Sequence, residues 1–419
     1  MKLLRPLVVA TLSIGLAAGL VTATPPQSAP AHEVPDPVGE VWHVHERLLV
    51  SDSRTGDIVV IDDGRVRDRI STPKAPISLA RSADGTLAFA LRGRAADRHH
   101  VSMIDTAYDA QRAEARLPYV ARTWVTTSPG GVTDGRLPEA SGKIGIPSES
   151  DGVLQWFDPK KITGFEDPRA GTLNLGQPGH YSLVVAKAGD GAELLHVGNI
   201  RGTSQVLDIA SGKVLSTGTG SCPALHGGML TADGSRVIFS CANGLRVVPA
   251  DPASGAEQAF VPYPGSRRVA VMFGGADGVI WGSTGGALST VQRIDTKPAV
   301  PTVTEVSIGR RGHKRTVLRV NSSPDGARLY VLTHQGYLQL RDGHTGKLIR
   351  ERRVMKKVPT SLDETTEVAI LPDLAFGEDS VHVSVPQSGT VRTLSADLRG
   401  GVYTLRVGGK PTRMVVLSH

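Results

Sequence analysis

Aromatic residues are scarce in this sequence: 4 Trp, 7 Tyr and 7 Phe make up 4% of 419 residues. That argues against a stacking platform for sugars or single-stranded nucleic acid, which needs many π faces. Cysteine is scarcer still, at two, so neither a disulfide-dense scaffold nor a four-cysteine zinc module is available. No charge of one sign dominates. Lys and Arg number 47 against 40 Asp and Glu, interspersed, and the resulting +7 is weak support for a nucleic-acid partner. No segment carries a long amphipathic-helix period, which excludes a helical bundle and a coiled coil. Beyond the N-terminus there is no long apolar run, which excludes a multi-span membrane protein. Gly-x-Ser-x-Gly, His-Glu-x-x-His, Walker A and dinucleotide-binding motifs are all missing. Asp57, Asp62, Asp63, Asp105 and Asp208 fall at strand ends and turns, where Asp serves the turn rather than an acid/base pair. No catalytic residue is assigned, and the chain reads as a binding protein rather than an enzyme.

Glycine and proline are abundant, at 48 and 27 residues, together about 18% of the chain against a usual ~12%. They are spread along the whole length, as in a protein of many short strands and turns. The strands recur with a period. One unit has an apolar strand Ile77–Ala80, a turn Ala83-Asp84-Gly85, a strand from Leu87 to Leu91 and a third from Val101 to Ile104. The same parts return over 229–248 and 316–341, with turns Ala232-Asp233-Gly234 and Ser323-Pro324-Asp325-Gly326. Second strands start near Leu48, Leu87, Ile144, Leu194, Val237, Val279, Leu329 and Val381. First strands fall at Ile77–Ala80, Trp124–Thr127, Tyr181–Ala186, Gly228–Thr231, Val269–Phe273, Val317–Val320, Glu367–Leu371 and Met414–Leu417. The last of these lies at the C-terminus, while its partner lies near Leu48. The pattern predicts an all-β fold, a β-propeller of eight four-stranded blades closed by pairing of N- and C-terminal strands. Seven blades, or two β-sandwiches, are the alternatives. Asp109–Arg116 is the one candidate for a short helix.

Residues 1–31 read as a secretory signal peptide, and residues 32–419 as a single propeller domain. Lys2 and Arg5 precede an apolar stretch from Leu7 to Ala23, and Ala29-Pro30-Ala31 offers small residues for cleavage. An uncleaved anchor is the alternative, since about 17 apolar residues is the short limit for a span. After cleavage the chain carries no membrane span and is predicted to be an extracytoplasmic monomer. In an oxidising compartment Cys222 and Cys241 are predicted to form a disulfide, because a hairpin about Asp233-Gly234 brings them together. A metal held by the two cysteines is the alternative.

In a propeller, the loop leading into each first strand opens on the channel mouth, as does the loop between second and third strands. Three of the thirteen histidines share that phase: His180 in blade four, His226 in blade five and His313 in blade seven. Blade eight offers Asp363, Glu364 and Glu367 there, and His99-His100 lie between the second and third strands of blade two or at the start of the third. Imidazoles with a carboxylate suit Zn²⁺, so His180, His226, His313, Glu367, His99 and His100 are the candidate metal ligands. Arg267-Arg268 and Arg310-Arg311-Gly312-His313-Lys314-Arg315 make the same mouth basic. The second reading is therefore a non-metal secreted propeller, a protein- or anion-binding scaffold that uses Arg268, Arg311 and Arg315.

The segment Cys222-Pro223-Ala224-Leu225-His226-Gly227, followed by Cys241-Ala242-Asn243-Gly244, resembles a known family. It is similar to the secreted β-propeller zinc metallochaperones of the AztD type, which show a Cys-Pro-x-Leu-His-Gly segment and a later Cys-x-x-Gly. Pro178-Gly179-His180 is similar to the family's histidine-bearing lead into the preceding blade. The resemblance implies that the chain sequesters Zn²⁺ and passes it to the solute-binding protein of a zinc ABC transporter, and that Zn²⁺ is the ion carried.

Overall fold

In a computed structural model, the protein is described over residues 41–417, apart from 73–77, 93–99, 127–136, 219, 266–267, 284–287, 310–312, 314 and 362–369. The signal sequence, His99, Glu367 and Arg311 lie outside the described residues. The repeat period emerges as eight four-stranded antiparallel sheets, six of them meanders of consecutive strands, with a further three-stranded sheet among the described residues. This is the β-propeller architecture. Blade four is typical: Tyr181–Lys187, Glu193–Asn199, Ser204–Asp208 and Val214–Thr217 pair in that order. Blade one draws on both ends of the chain. Its first strand is Pro411–Leu417, which pairs with Arg47–Asp52 in the register Leu48↔Val416 and Val50↔Met414.

Burial explains the strand order. The second strands Arg47–Asp52 and Leu87–Arg92 are buried at every position, whereas outer strands such as Arg65–Ile70 and Tyr403–Arg406 are mostly exposed. A middle strand has a neighbouring blade on each face, so it needs apolar side chains on both. The cores accordingly lie between blades. Val184, Leu194 and Val206 of blade four pack with Leu225, Val237 and Phe239 of blade five. The Asp-Gly turns repeat for a local reason. In Ser82-Ala83-Asp84, Thr231-Ala232-Asp233 and Ser323-Pro324-Asp325 the hydroxyl donates to the aspartate at 2.6, 2.6 and 2.5 Å. Gly234 then takes the left-handed conformation, φ 70°, that reverses the chain.

Three details differ from the sequence reading. Trp124–Thr127 is not the first strand of blade three. Trp124 belongs to Tyr119–Val125, the outer strand of blade two, and blade three starts at Glu139–Ala140. Alternating apolar residues mark a strand but not its place in the blade. The first described strand of blade eight is Leu374–Phe376, and most of the predicted strand, 367–369, lies outside the described residues. The Asp109–Arg116 helix is absent. Tyr108–Asp109 and Glu114–Ala115 form a hairpin, and Trp42–His43 adds a third strand to it. Among the described residues no helix is long and apolar enough to cross a membrane.

Candidate metal site at the channel mouth

The disulfide sets the frame. Cys222 and Cys241 are bonded, their Cα atoms 4.9 Å apart, which fastens the loop before blade five to the end of that blade's second strand. The Ala242 amide donates to the Pro223 carbonyl at 2.7 Å. Blade five then opens on His226, and the pairing of His226–Leu230 with Arg236–Ser240 carries an irregularity there. His226 faces Ser240 while Gly228 faces Phe239, so Gly227 is bulged out. A bulge re-aims the side chains beside it. The Gly227 amide donates to Ala270 O at 3.2 Å, and a Cβ at Gly227 would stand 3.0 Å from that oxygen.

His180 arrives from blade four. The Gly179 amide donates to Glu149 O, and the Ile200 amide to His180 O, both at 2.9 Å. A Cβ at Gly179 would press on the Asn199 amide at 2.7 Å, so only glycine lets this loop lie against the blade. Glu149 itself follows the second strand of blade three, Lys143–Ser148. Four consecutive blades, three to six, thus contribute to one small cluster.

Within it the two imidazoles are neighbours, their centroids 4.7 Å apart and their planes tilted by 38°. His180 Nδ1 is 2.6 Å from Glu149 Oε1, and His226 Nδ1 is 2.7 Å from Ala270 O. A carbonyl and a carboxylate only accept, so in both rings Nδ1 carries the proton. Neither bond uses Nε2, the nitrogen by which a histidine so held can bind a metal. His226 is kept neutral strongly. Burial first, then the adjacent His180 ring, push it down to about 4, Arg268 adds to this, and the Ala270 bond only partly opposes it. The Glu149 carboxylate is buried at 7% exposure, while the His180 side chain is 27% exposed.

The structure thus brings together two of the six predicted ligands, His180 and His226. His313 is an exposed bridge residue before blade seven. His100 is buried at the start of the third strand of blade two, opposite Arg92 and Val125. Glu149 was missed, although its place after a second strand puts it in the phase that faces the mouth. Among the described residues no group of three or more His, Cys, Asp or Glu stands ready to hold a metal. The anion-binding alternative loses a member. Arg315 is tied to Glu351 at 2.9 Å and stacked on Tyr337, 4.0 Å from its centroid, so it faces its own blade rather than a ligand.

With this geometry in hand, the chain is similar to two structures of AztD from Citrobacter koseri. The match to apo AztD has a TM-score of 0.67 at 20% identity, over 89% of this chain and 98% of that one. The second has a TM-score of 0.68 at the same identity and coverage. The fold is of the AztD type. The chain is also similar to the dihydro-heme d1 dehydrogenase NirN, with a TM-score of 0.56 at 17% identity, over 92% of this chain and 76% of that one. No family's sequence model matches the chain, and no curated protein matches it.

Proposed function

We propose that this protein is an extracytoplasmic zinc carrier that holds Zn²⁺ at its channel mouth and passes it to the solute-binding protein of a zinc ABC transporter. On this reading residues 1–31 are cleaved and the mature chain starts at His32. The Cys222–Cys241 bond is compatible with that compartment. One observation carries the proposal: His180 and His226 lie side by side, their ring centroids 4.7 Å apart, and each spends Nδ1 on a carboxylate or carbonyl in a bond that does not use Nε2. A histidine whose second nitrogen donates to a carboxylate or a backbone carbonyl is the usual form of a zinc-binding histidine.

Zinc prefers four ligands, and two imidazoles supply half of them. That incompleteness suits cargo rather than a structural ion, because water or the recipient's own ligands can take the remaining positions. His313, outside the pair, is the further ligand this reading proposes, together with Glu367, His99 and His100. The experiment is a zinc titration of residues 32–419 against a competing chelator, with wild type and His226→Ala. About one zinc per chain, lost in the variant, is expected. A stoichiometry near zero at micromolar zinc, or no change in the variant, overturns the proposal.

A further inference from the structure

The outer strands of the blades differ sharply in charge around the rim. Those of blades seven, eight and one, Leu348–Arg353, Tyr403–Arg406 and Arg65–Ile70, hold seven arginines and two acidic residues. Those of blades three to six, Arg169–Asn174, Val214–Thr217, Ala259–Pro262 and Thr302–Ser307, hold one arginine and one glutamate. The basic strands sit side by side. Arg352 of blade seven donates to Leu398 O and Gly400 O of blade eight, at 3.0 and 2.6 Å. Tyr403 of blade eight donates to Gly64 O of blade one at 3.2 Å. Of the two acids, Glu351 is already bound by Arg315 at 2.9 Å. Arg65, Arg353 and Arg406 are exposed and form no ion pair with a described residue, nor do Lys356 and Lys357 just beyond the blade-seven strand. Arg67 is exposed and engages only the Trp42 ring, at 5.6 Å. Among these charges stand Ile349, 56% exposed, Tyr403, 54%, and Val66, 38%.

We propose that this outer rim of blades seven, eight and one docks on an anionic phospholipid membrane. Guanidinium forks match phosphate oxygens, and all seven cations of these strands are arginine. The charges run along a convex edge three blades wide, which fits an extended phosphate surface better than a peptide in a groove. Tyrosine and isoleucine set among arginines match the headgroup boundary, where an amphipathic side chain sits half in and half out. Blades three to six carry the histidine pair at the mouth, so rim docking leaves that site open.

The test uses residues 32–419, which hold every strand of the eight blades, and sedimentation with vesicles. One set is pure phosphatidylcholine and the other contains about a third phosphatidylglycerol. Binding is expected to the anionic set only and to fall away at 0.5 M salt, since exposed charges are screened there. In the variant R65Q/R67Q/R353Q/R406Q each lost charge is expected to lower partitioning roughly fivefold. The control R169Q/K213Q, on the opposite side of the rim, should bind as wild type does. A thermal melt shows that both variants are folded, and an unchanged zinc titration keeps this question apart from that of the mouth. Equal binding to both vesicle sets, undiminished binding of the fourfold variant, equal loss in the control, or binding of soluble polyphosphate without vesicles overturns the proposal.

Discussion

Two histidine–glutamate pairs occupy opposite ends of the sheets and are built for different purposes. At the mouth, His180 meets Glu149 through Nδ1 at 2.6 Å, a bond that does not use Nε2. Near the start of blade eight's second strand, His382 meets Glu46 through Nε2 at 2.8 Å. Ser380 Oγ lies 2.9 Å from the same nitrogen and 2.7 Å from Glu46, and Thr393 Oγ1 lies 2.9 Å from Nδ1. Both nitrogens of His382 are spent, and its side chain is 4% exposed. Burial alone would raise the Glu46 carboxyl, but the His382 and Ser380 bonds outweigh it and hold it below the usual range. Glu46 directly precedes the Arg47–Asp52 strand of blade one, so this pair ties blade one to blade eight. The same two residue types leave one ring nitrogen out of the bonding at the candidate site and spend both in the clasp between blades.

Breaking the mouth pair should have the largest effect. His226→Ala removes one of two imidazoles, and zinc affinity is expected to drop roughly 100-fold or more in a chelator competition. His382→Ala should leave that titration within about twofold, because both ring nitrogens of His382 are already engaged within the protein. Equal zinc loss in the two variants would erase the distinction between site and clasp.

Glu149→Gln sharpens the same contrast. The amide oxygen still accepts from His180 Nδ1, but the charge that makes the ring a better donor is gone. Such outer partners are worth roughly 10- to 100-fold in metal affinity, and the conservative variant belongs near the lower figure. The measurement is the same titration, with Glu149→Ala as the second point. An affinity equal to wild type in both would show that His180 needs no carboxylate.

For the clasp the observable is stability. His382→Ala leaves the half-buried Glu46 carboxylate without its imidazole partner and Thr393 without its partner. A cost of about 2 kcal/mol is expected in urea unfolding. His180→Ala, at a site one quarter exposed, should cost less in the same experiment.

The fold was legible because its signal is repeated eight times. A strand lost in one blade is recoverable from its seven counterparts, and the Ser/Thr-x-Asp-Gly turns fix the phase. The failures fall where the repeat is interrupted. Between the third and outer strands of blade two the chain makes the Tyr108–Ala115 hairpin, which displaced the assignment of Trp124. The site was legible only in part. The phase rule placed His180 and His226 at the mouth, and the Cys222–Cys241 hairpin followed from its turn. The phase says which end of a blade a residue occupies, but not whether its ring lies 4.7 Å from another. It also could not separate Arg315, neutralised by Glu351, from an arginine free to meet an anion. Glu149 carries no motif of its own and becomes visible only through its bond to His180.

A third histidine completes the comparison and gives the smallest effect. His196, in the second strand of blade four, is fully buried and bonds Ala250 O through Nε2 at 2.9 Å. It has no carboxylate, and its Nδ1 has no hydrogen-bond partner among the described residues. Burial lowers it to about 4, only partly opposed by the Ala250 bond. The folded protein therefore keeps this ring neutral, while in the unfolded chain it takes a proton below about 6.5. The unfolded state binds more protons across that window, so stability must fall as pH drops from 6.5 toward 4. His196 should contribute roughly 1 kcal/mol per pH unit, and His226, also lowered to about 4, adds a slope of the same sign. His196→Leu is expected to flatten the loss between pH 6 and 5 by about that amount in urea unfolding. The His382→Ala variant should also flatten the acid loss, but in the lower, carboxylate range of pH, because it removes the imidazole that holds the Glu46 carboxyl below its usual range. A pH slope unchanged in His196→Leu would mean that a buried imidazole without a carboxylate is not what makes the propeller sensitive to acid.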